Sequence, residues 1–194
     1  MARQRATTTA DVVAAAAQIF ETRGYRNVTV DDIGQAAGIS RPTVYKYIES
    51  KPWLLGQMVS AITDEMSGPL AELMTSDLSP RDKLRAVIRF HIASTVNKRV
   101  YYATVFSEQS ELPESARELF RDWSHKVTED FASLVDDHLE AEGLTPRVET
   151  RFLANLILSM LTSMYRWYDP EGEISPDALY DRLVVVLSGA IPGL

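Results

Sequence analysis

Apolar residues recur at helical spacing along most of the chain, and no segment shows the alternating apolar and polar residues of a β-strand. Near the N-terminus, Val30, Ile33 and Ala37 repeat at i, i+3 and i+7, which predicts a helix with one narrow apolar face. Val44 and Ile48 lie one turn apart and predict the buried side of the next helix. The pattern as a whole predicts an all-α protein of about nine helices.

Capping residues divide the first part of the chain into two short helices. Thr29 is followed three positions later by Asp32, a capping-box spacing that predicts a helix start. Gly38 suits the left-handed residue that ends a helix, and Ser40 can cap a new helix in which Pro42 occupies the first turn. Two helices joined by so sharp a turn are typical of a helix-turn-helix DNA-binding motif.

The residues left outside this motif suit a DNA groove. Arg and Lys can reach phosphates or guanine edges, Thr can meet a base, and Tyr hydroxyls can donate to phosphate oxygens. Lys51 follows Ser50, which is expected to cap the next helix, so a cation lies at a helix N-terminus as in an anion site. The candidate DNA-contacting residues are Thr29, Ser40, Arg41, Pro42, Thr43, Tyr45, Lys46, Tyr47 and Lys51. The alternative is an ordinary helix pair with a solvated basic face. Within the motif, Ala36 is small enough to let another helix pass close by.

The helices of the remaining chain have their own start and stop signals. The helix that begins near Lys51 is expected to be interrupted by Gly68-Pro69. A long helix is predicted from Pro113 to about Ala141, closing at Gly143. Three further helices are predicted to start at a hydroxyl cap followed by proline, namely at Ser79-Pro80, Thr145-Pro146 and Ser175-Pro176.

The last two helices, about 146–168 and 176–190, carry apolar residues on more than one face. A membrane span needs ~20 continuous apolar residues, and polar residues such as Asn155 and Arg182 interrupt these helices earlier. One face can pack on the protein body and the other on a second copy of the chain. A homodimer through these two helices, and no membrane partner, is therefore expected.

Size and charge separate the chain into two parts. With 194 residues, 45% of them hydrophobic, the chain requires a second domain beyond the helix-turn-helix. We expect a DNA-binding domain over residues 6–66 and a second helical domain over residues 67–194. The net charge is −7, but residues 1–52 hold seven Lys and Arg against five Asp and Glu. Arg3 and Arg5 are expected either to form a minor-groove arm or to be a solubilising tail.

An enzyme is disfavoured by the residue inventory. The chain has no cysteine, its three histidines lack metal-ligand spacing, and no serine lies in a nucleophile-elbow pattern. Hence no catalytic residue, metal or cofactor is expected. A non-specific architectural DNA binder is a second alternative, but it would need a broadly basic surface, and residues 53–194 hold 13 Lys and Arg against 22 Asp and Glu.

Aromatic and methionine residues are frequent in the middle helices, where they could line an adaptable apolar cavity or simply pack the core. Asn97, Gln109 and Arg166 are possible polar anchors beside them. The candidate ligand-binding residues are Phe90, Thr95, Tyr102, Phe106, Trp123, Phe131, Met164 and Trp167.

The N-terminal region resembles the TetR family of bacterial transcriptional regulators over about residues 8–66. The resemblance rests on the segments AQIFETRGYRNVTV, DDIGQAAGIS and TVYKYIESKPWLL. Pro42 and Ile48 depart from the family pattern, in which a small residue and Phe are common, without breaking the motif. The resemblance implies that the second motif helix enters the major groove, while Tyr45 and Lys51 contact the DNA backbone.

The same resemblance implies a cytoplasmic homodimer that binds a palindromic operator and whose C-terminal body encloses a small hydrophobic effector. Repression is the expected mode, because a bound protein can occlude a promoter. Residues 165–181, YRWYDPEGEISPDALYD, look like the corresponding segment of regulators of lipid, fatty-acid or sterol catabolism, which commonly sense acyl-CoA thioesters. A regulator of drug or xenobiotic efflux that responds to a hydrophobic drug is the alternative.

Overall fold

The computed structural model describes residues 7–194, so Arg3 and Arg5 lie outside the described residues. Within that range the chain contains nine α-helices and no strand, which confirms the predicted fold class. The helices are α1 (Thr9–Arg23), α2 (Val30–Ala36), α3 (Arg41–Val44), α4 (Lys51–Thr75), α5 (Pro80–Asn97), α6 (Arg99–Ser107), α7 (Glu114–Ala141), α8 (Thr150–Thr162) and α9 (Pro176–Ser188). Among residues 7–194, no helix is long and apolar enough to cross a membrane.

The helices form two compact units whose boundaries do not follow chain order. The first unit runs to Ile62 and also takes in Val100–Leu119; the second comprises Thr63–Arg99 and Phe120–Leu194. The helix-turn-helix belongs to the first unit, together with α6 and the start of α7. Residues 100–119 therefore belong to the same unit as the helix-turn-helix, although they come much later in the chain.

In the second unit, α5 is the central element and contacts both α8 and α9. Its inward face runs at helical spacing from Leu84 to Thr95, and Leu84, Ile88 and Thr95 have no exposed surface. The N-terminus of α5 is capped as predicted, because the Asp82 N–H donates to Ser79 Oγ at 3.1 Å. Burial of each such apolar side chain contributes about 1.5–3 kcal/mol.

Two predicted helix boundaries are wrong. Helix α4 continues through Pro69, although an interior proline costs about 3 kcal/mol. Leu70 is buried beyond it, and Leu73 and Met74 pack against the same core, so the buried area outweighs the lost hydrogen bond. The helix predicted over 146–168 instead starts at Thr150 and ends at Thr162.

The late start of α8 follows from exposure. All residues from Ala141 to Glu149 are exposed, so no burial compensates the entropy of about 1–2 kcal/mol per residue that ordering a helix would cost. The cap expected at Thr145-Pro146 is therefore not used. The C-terminal end, beyond Thr162, tightens into a 3-10 helix over Ser163–Arg166.

Buried His91 on α5 makes stability depend on pH. Its Nε2 lies 3.0 Å from Thr162 Oγ1, and complete burial lowers the pKa of the imidazole from 6.5 to about 4. As the pH falls, His91 is protonated near pH 6.5 in the unfolded chain but only near pH 4 in the folded protein. Falling pH therefore favours unfolding.

We expect His91→Gln to remove this pH dependence. Between pH 7 and pH 4, wild type should lose about 3 kcal/mol of unfolding free energy relative to the variant. Urea unfolding of both proteins at several pH values measures the difference. His125→Gln, at an exposed histidine, is the control. Its unfolding free energy should change with pH in the same way as that of wild type. If the unfolding free energies of wild type and His91→Gln changed equally with pH, His91 would not be the source of the pH dependence.

Candidate nucleic-acid interface

The start of α2 is fixed by the predicted capping box. The Asp32 N–H donates to Thr29 Oγ1 at 3.2 Å, and the Thr29 N–H donates to Asp32 Oδ2 at 2.8 Å. Arg23, at the end of α1, adds an ion pair to Asp32 Oδ1 at 2.7 Å. The hydrogen bonds from Thr29, followed by the contribution of Arg23, lower the pKa of Asp32 to about 2. The carboxylate thus ties the first two helices together.

The turn between α2 and α3 depends on two glycines with different roles. Gly38 has φ +68°, the left-handed conformation predicted for it. Gly34 is where α2 and α3 approach, because a Cβ added there would lie 2.5 Å from Val44 Cγ2 and 3.2 Å from the Ile39 carbonyl oxygen. Ala36, expected to allow the close approach, is exposed instead. Glycine inside a helix costs about 1 kcal/mol relative to alanine, so Gly34 was itself the sequence signal of this close contact. The prediction placed the contact at Ala36 instead.

The second helix of the motif is shorter than a full recognition helix. It covers Arg41–Val44 and continues as turns in which the Ile48 N–H donates to the Val44 carbonyl at 3.1 Å. Val44 and Ile48 are buried as their spacing predicted. The Ser40 hydroxyl lies 2.7 Å from Thr43 Oγ1 and makes no capping bond to a backbone N–H. The two hydroxyls therefore pair with each other, and the expected bond from Ser40 to the α3 backbone is absent.

Most of the predicted DNA-contacting side chains lie on the surface of this motif. Tyr45 is 56% exposed, an unusual state for so large an aromatic residue. Thr43 and Tyr47 are half-buried. The other exposed residues of the set are Thr29, Ser40, Arg41, Pro42 and Lys46. Cationic, hydroxyl and aromatic groups are therefore available together for phosphates and base edges.

Lys51 is held more firmly than the sequence indicated. Its ammonium donates to the Tyr25 carbonyl at 2.7 Å and lies 4.4 Å from the centre of the Tyr25 ring. An ammonium group has three N–H donors, of which this bond uses one. Burial lowers the pKa of Lys51. At the same helix start the Trp53 N–H donates to Ser50 Oγ at 3.1 Å, which confirms the predicted cap.

An acidic segment between α6 and α7 belongs to the same unit. Glu111 lies 3.8 Å from Arg26. Burial, with the charges of Glu111 and Glu108, raises the pKa of the Tyr25 hydroxyl to about 12. Residues 1–62 and 100–119 together carry eight Lys and Arg against nine Asp and Glu, so the unit is not basic overall. Attraction to DNA must come from local placement of the cations.

The candidate ligand-binding residues fall into both units. Tyr102 and Phe106 belong to the first unit, where their rings stack with centroids 6.3 Å apart. The others belong to the second unit, where Thr95, Phe131 and Met164 are buried and Trp167 is 58% exposed. Phe90 and Trp123 are half-buried.

Within the second unit, a cavity of about 240 Å³ lies between α4 and α7. Leu70, Met74, Trp123 and Val127 provide most of its apolar lining, with the Lys126–Asp130 ion pair beside them. The Trp123 Nε1–H is buried and has no hydrogen-bond partner among the described residues.

On α5, three further buried polar atoms have no hydrogen-bond partner within residues 7–194: His91 Nδ1, Ser94 Oγ and Thr95 Oγ1. Each such group costs roughly 1–3 kcal/mol while unpaired. Over the part of the chain that the structure describes, no group of three or more His, Asp or Glu is placed to hold a metal ion.

A capped helix that meets a second short helix at a glycine contact, with cationic and hydroxyl groups on the outer side, defines a helix-turn-helix DNA-binding protein. Comparison with known proteins agrees. Residues 12–58 match the bacterial regulatory proteins of the tetR family, and residues 77–191 match the tetracyclin repressor-like C-terminal domain. The chain belongs to the TetR family and is a DNA-binding transcriptional regulator. Its relatives are transcriptional regulators rather than enzymes.

Individual relatives cover nearly the whole chain. The HTH-type transcriptional repressor KstR2 of Rhodococcus jostii is 29% identical over 189 residues, covering 90% of this chain and 86% of that protein. The solved structure of the ketosteroid transcriptional regulator KstR2 of Mycobacterium tuberculosis has a TM-score of 0.84 at 19% identity and covers 97% of this chain and 96% of its own. AibR, solved with isovaleryl coenzyme A and operator DNA, has a TM-score of 0.78 at 19% identity, covering 96% and 99%. At these identities the two solved structures establish the shared fold.

Proposed function

We propose that the protein is a repressor that binds a palindromic operator as a homodimer and is released by a small hydrophobic effector. The observation that carries the DNA-binding part is the exposed set around Arg41, Tyr45 and Lys46 on a helix-turn-helix whose first helix starts at a capping box. The repressor names of the KstR2 relatives support the mode of action. The proposed place of action is the cytoplasm, because that is where a bacterial operator lies.

Substitutions on the motif should separate phosphate contacts from base contacts. Tyr45→Ala and Lys51→Ala are expected to weaken binding to every DNA sequence by about 10-fold and to flatten its salt dependence. Arg41→Ala and Thr43→Ala are expected to change which sequence is preferred. Selection from a randomised duplex library, followed by affinity measurements at several salt concentrations, tests both. Because Lys51 also bonds to Tyr25, its variant needs a melting-temperature control. Unchanged affinity in all four variants would refute the proposed interface.

The proposed dimer rests on exposed apolar side chains of α8 and α9. Phe152 and Leu156 on α8 are 55% and 54% exposed, and Val185 and Val186 on α9 are 76% and 64% exposed. The opposite sides of both helices are buried, for example at Ala154, Ile157 and Leu187. Both helices are thus apolar on two sides, as expected of elements that pack inward and also on a two-fold partner. A dimer would hold two motifs at the spacing of successive major grooves, ~34–36 Å.

The proposed effector is an acyl-CoA or a lipid or sterol catabolite, and a hydrophobic drug is the alternative. Buried His91, Ser94 and Thr95 offer hydrogen-bonding atoms that a bound carbonyl or hydroxyl could satisfy. Similarity to a ketosteroid regulator and to a protein solved with isovaleryl coenzyme A supports the first class. Release requires that the effector favour a conformation that DNA disfavours. Helix α4, which starts at Lys51 and contributes residues to both units, is the proposed lever.

A melting-temperature screen tests the effector. Isovaleryl-CoA, longer acyl-CoAs, sterol-derived acids and hydrophobic drugs are the probes. A cognate compound at 100 times its dissociation constant adds about 2.7 kcal/mol and should raise the melting temperature by roughly 5–10 °C. The same compound should weaken operator binding, and operator DNA should weaken its binding by the same factor. Stabilisation by drugs alone would favour the efflux alternative, and stabilisation by none of these probes would count against a sensor of this type.

A further inference from the structure

One ion pair joins the two helices of the DNA-binding motif. The Nε atom of Arg41, the first residue of α3, lies 2.9 Å from Asp31 Oδ1 in an ion pair. Asp31 lies in the first turn of α2 and takes no part in the capping box, which Asp32 forms with Thr29. Both side chains face solvent, with 68% of Arg41 and 49% of Asp31 exposed. The pair therefore lies on the outer surface of the motif.

The geometry of this ion pair leaves a particular part of the guanidinium available. Arginine has five N–H donors in a planar fork, and Asp31 lies on the Nε side of that fork. The two Nη groups remain as a parallel pair of donors. Such a pair matches the O6 and N7 acceptors of guanine in the major groove. A phosphate could accept the same donors, but the neighbouring carboxylate repels phosphate oxygens.

We propose that Asp31 is a positioning residue that makes Arg41 a guanine reader rather than a phosphate contact. The carboxylate limits the rotation of a long side chain before DNA arrives, so less rotamer entropy remains to be lost on binding. The carboxylate also repels phosphate oxygens and so disfavours an ion pair between Arg41 and a DNA phosphate. This inference rests on the proposed DNA-binding function and adds to it a determinant of sequence specificity outside α3.

A purely stabilising role for Asp31 predicts different behaviour. An exposed ion pair contributes little to folding, and an acid in the first helical turn adds a comparably small helix-dipole term. Either role would alter the melting temperature slightly and leave base preference untouched. Base discrimination is therefore the measurement that distinguishes positioning from stabilisation.

The test uses the full chain and the operator selected by the wild-type protein. Affinities are measured for that duplex and for duplexes in which each guanine in turn is replaced. Asp31→Ala should lower the discrimination ratio at the position read by Arg41 by about fivefold, the upper effect of an exposed pair. Asp31→Glu should restore it. Asp31→Asn, which keeps the size and removes the charge, repeats the test should Asp31→Ala lower the melting temperature.

Glu49→Ala is the matched control, since Glu49 is an exposed acid that follows α3 and has no ion pair among residues 7–194. It should raise affinity for all duplexes equally and leave the ratio unchanged. In the Arg41→Ala background, Asp31→Ala should behave in the same way as Glu49→Ala. A wild-type ratio retained in Asp31→Ala, or lost equally in Glu49→Ala, would overturn the inference while operator binding stands. A wild-type protein that selects no sequence would overturn the proposed function and the inference together.

Discussion

Gly34→Ala is expected to abolish specific DNA binding and to lower the melting temperature by roughly 3–10 °C. The added methyl group would lie 2.5 Å from Val44 Cγ2 and 3.2 Å from the Ile39 carbonyl oxygen. Val44 is completely buried on α3 and the second neighbour is the backbone of the turn that leads into α3, so relief of the clash should shift α3. Overpacking of this kind costs about 1–3 kcal/mol, and the shift would displace Arg41 and Tyr45 from their register.

A second glycine provides the control for this experiment. Gly56 lies within α4 of the same unit, and a methyl group there would meet Ala116 Cβ at an ordinary 3.7 Å. Gly56→Ala should leave DNA binding intact and stabilise the helix by up to about 1 kcal/mol. Calorimetry measures the melting temperature of both variants, and a binding assay measures their affinity for the operator. Wild-type affinity in Gly34→Ala would show that α2 and α3 tolerate a wider separation than the structure indicates.

Leu156→Glu is expected to convert the protein to a monomer and to reduce operator affinity by about 100-fold or more. A carboxylate placed within the proposed dimer contact would be buried without a partner, which costs several kcal/mol. Once dimerisation fails, each half-site must be bound independently and the multivalent gain is lost. Light scattering should report the chain mass of 21.7 kDa rather than twice that value.

Leu78→Glu is the matched control for the dimer experiment. Leu78 is 47% exposed, close to the 54% of Leu156, but lies between α4 and α5 rather than on α8 or α9. This variant should keep both the mass and the operator affinity of wild type. A dimeric Leu156→Glu with full affinity would exclude α8 from the dimer contact.

Local sequence signals predicted most of the helix starts. A cap bonds only to residues within three or four positions, so Thr29 with Asp32 and Ser79 with Asp82 can be recognised without knowledge of the fold. The signals failed where tertiary burial outweighed them. Pro69 does not end α4 because the residues beyond it are buried, and Pro146 does not start α8 because the residues around it are exposed.

The candidate interface was predictable in composition but not in its supporting contacts. Helical spacing separated inward Val44 and Ile48 from outward Arg41, Tyr45 and Lys46. The partners that orient these side chains come from other elements. Tyr25 lies 26 positions before the Lys51 that it binds. Glu111 follows Arg26 by 85 positions, and no periodicity indicates such a contact.

The way the backbone alternates between the two units has a consequence for synthesis on the ribosome. The chain leaves the first unit after Ile62, returns at Val100 and leaves again after Leu119, and both departures fall inside helices α4 and α7. The DNA-reading unit therefore lacks part of its own packing until the nascent chain has passed Leu119. A truncated product that ends soon after α4 would contain every residue proposed to contact DNA and still be an incomplete unit. Release of such a product should therefore yield a substrate for proteolysis instead of a competitor for the operator.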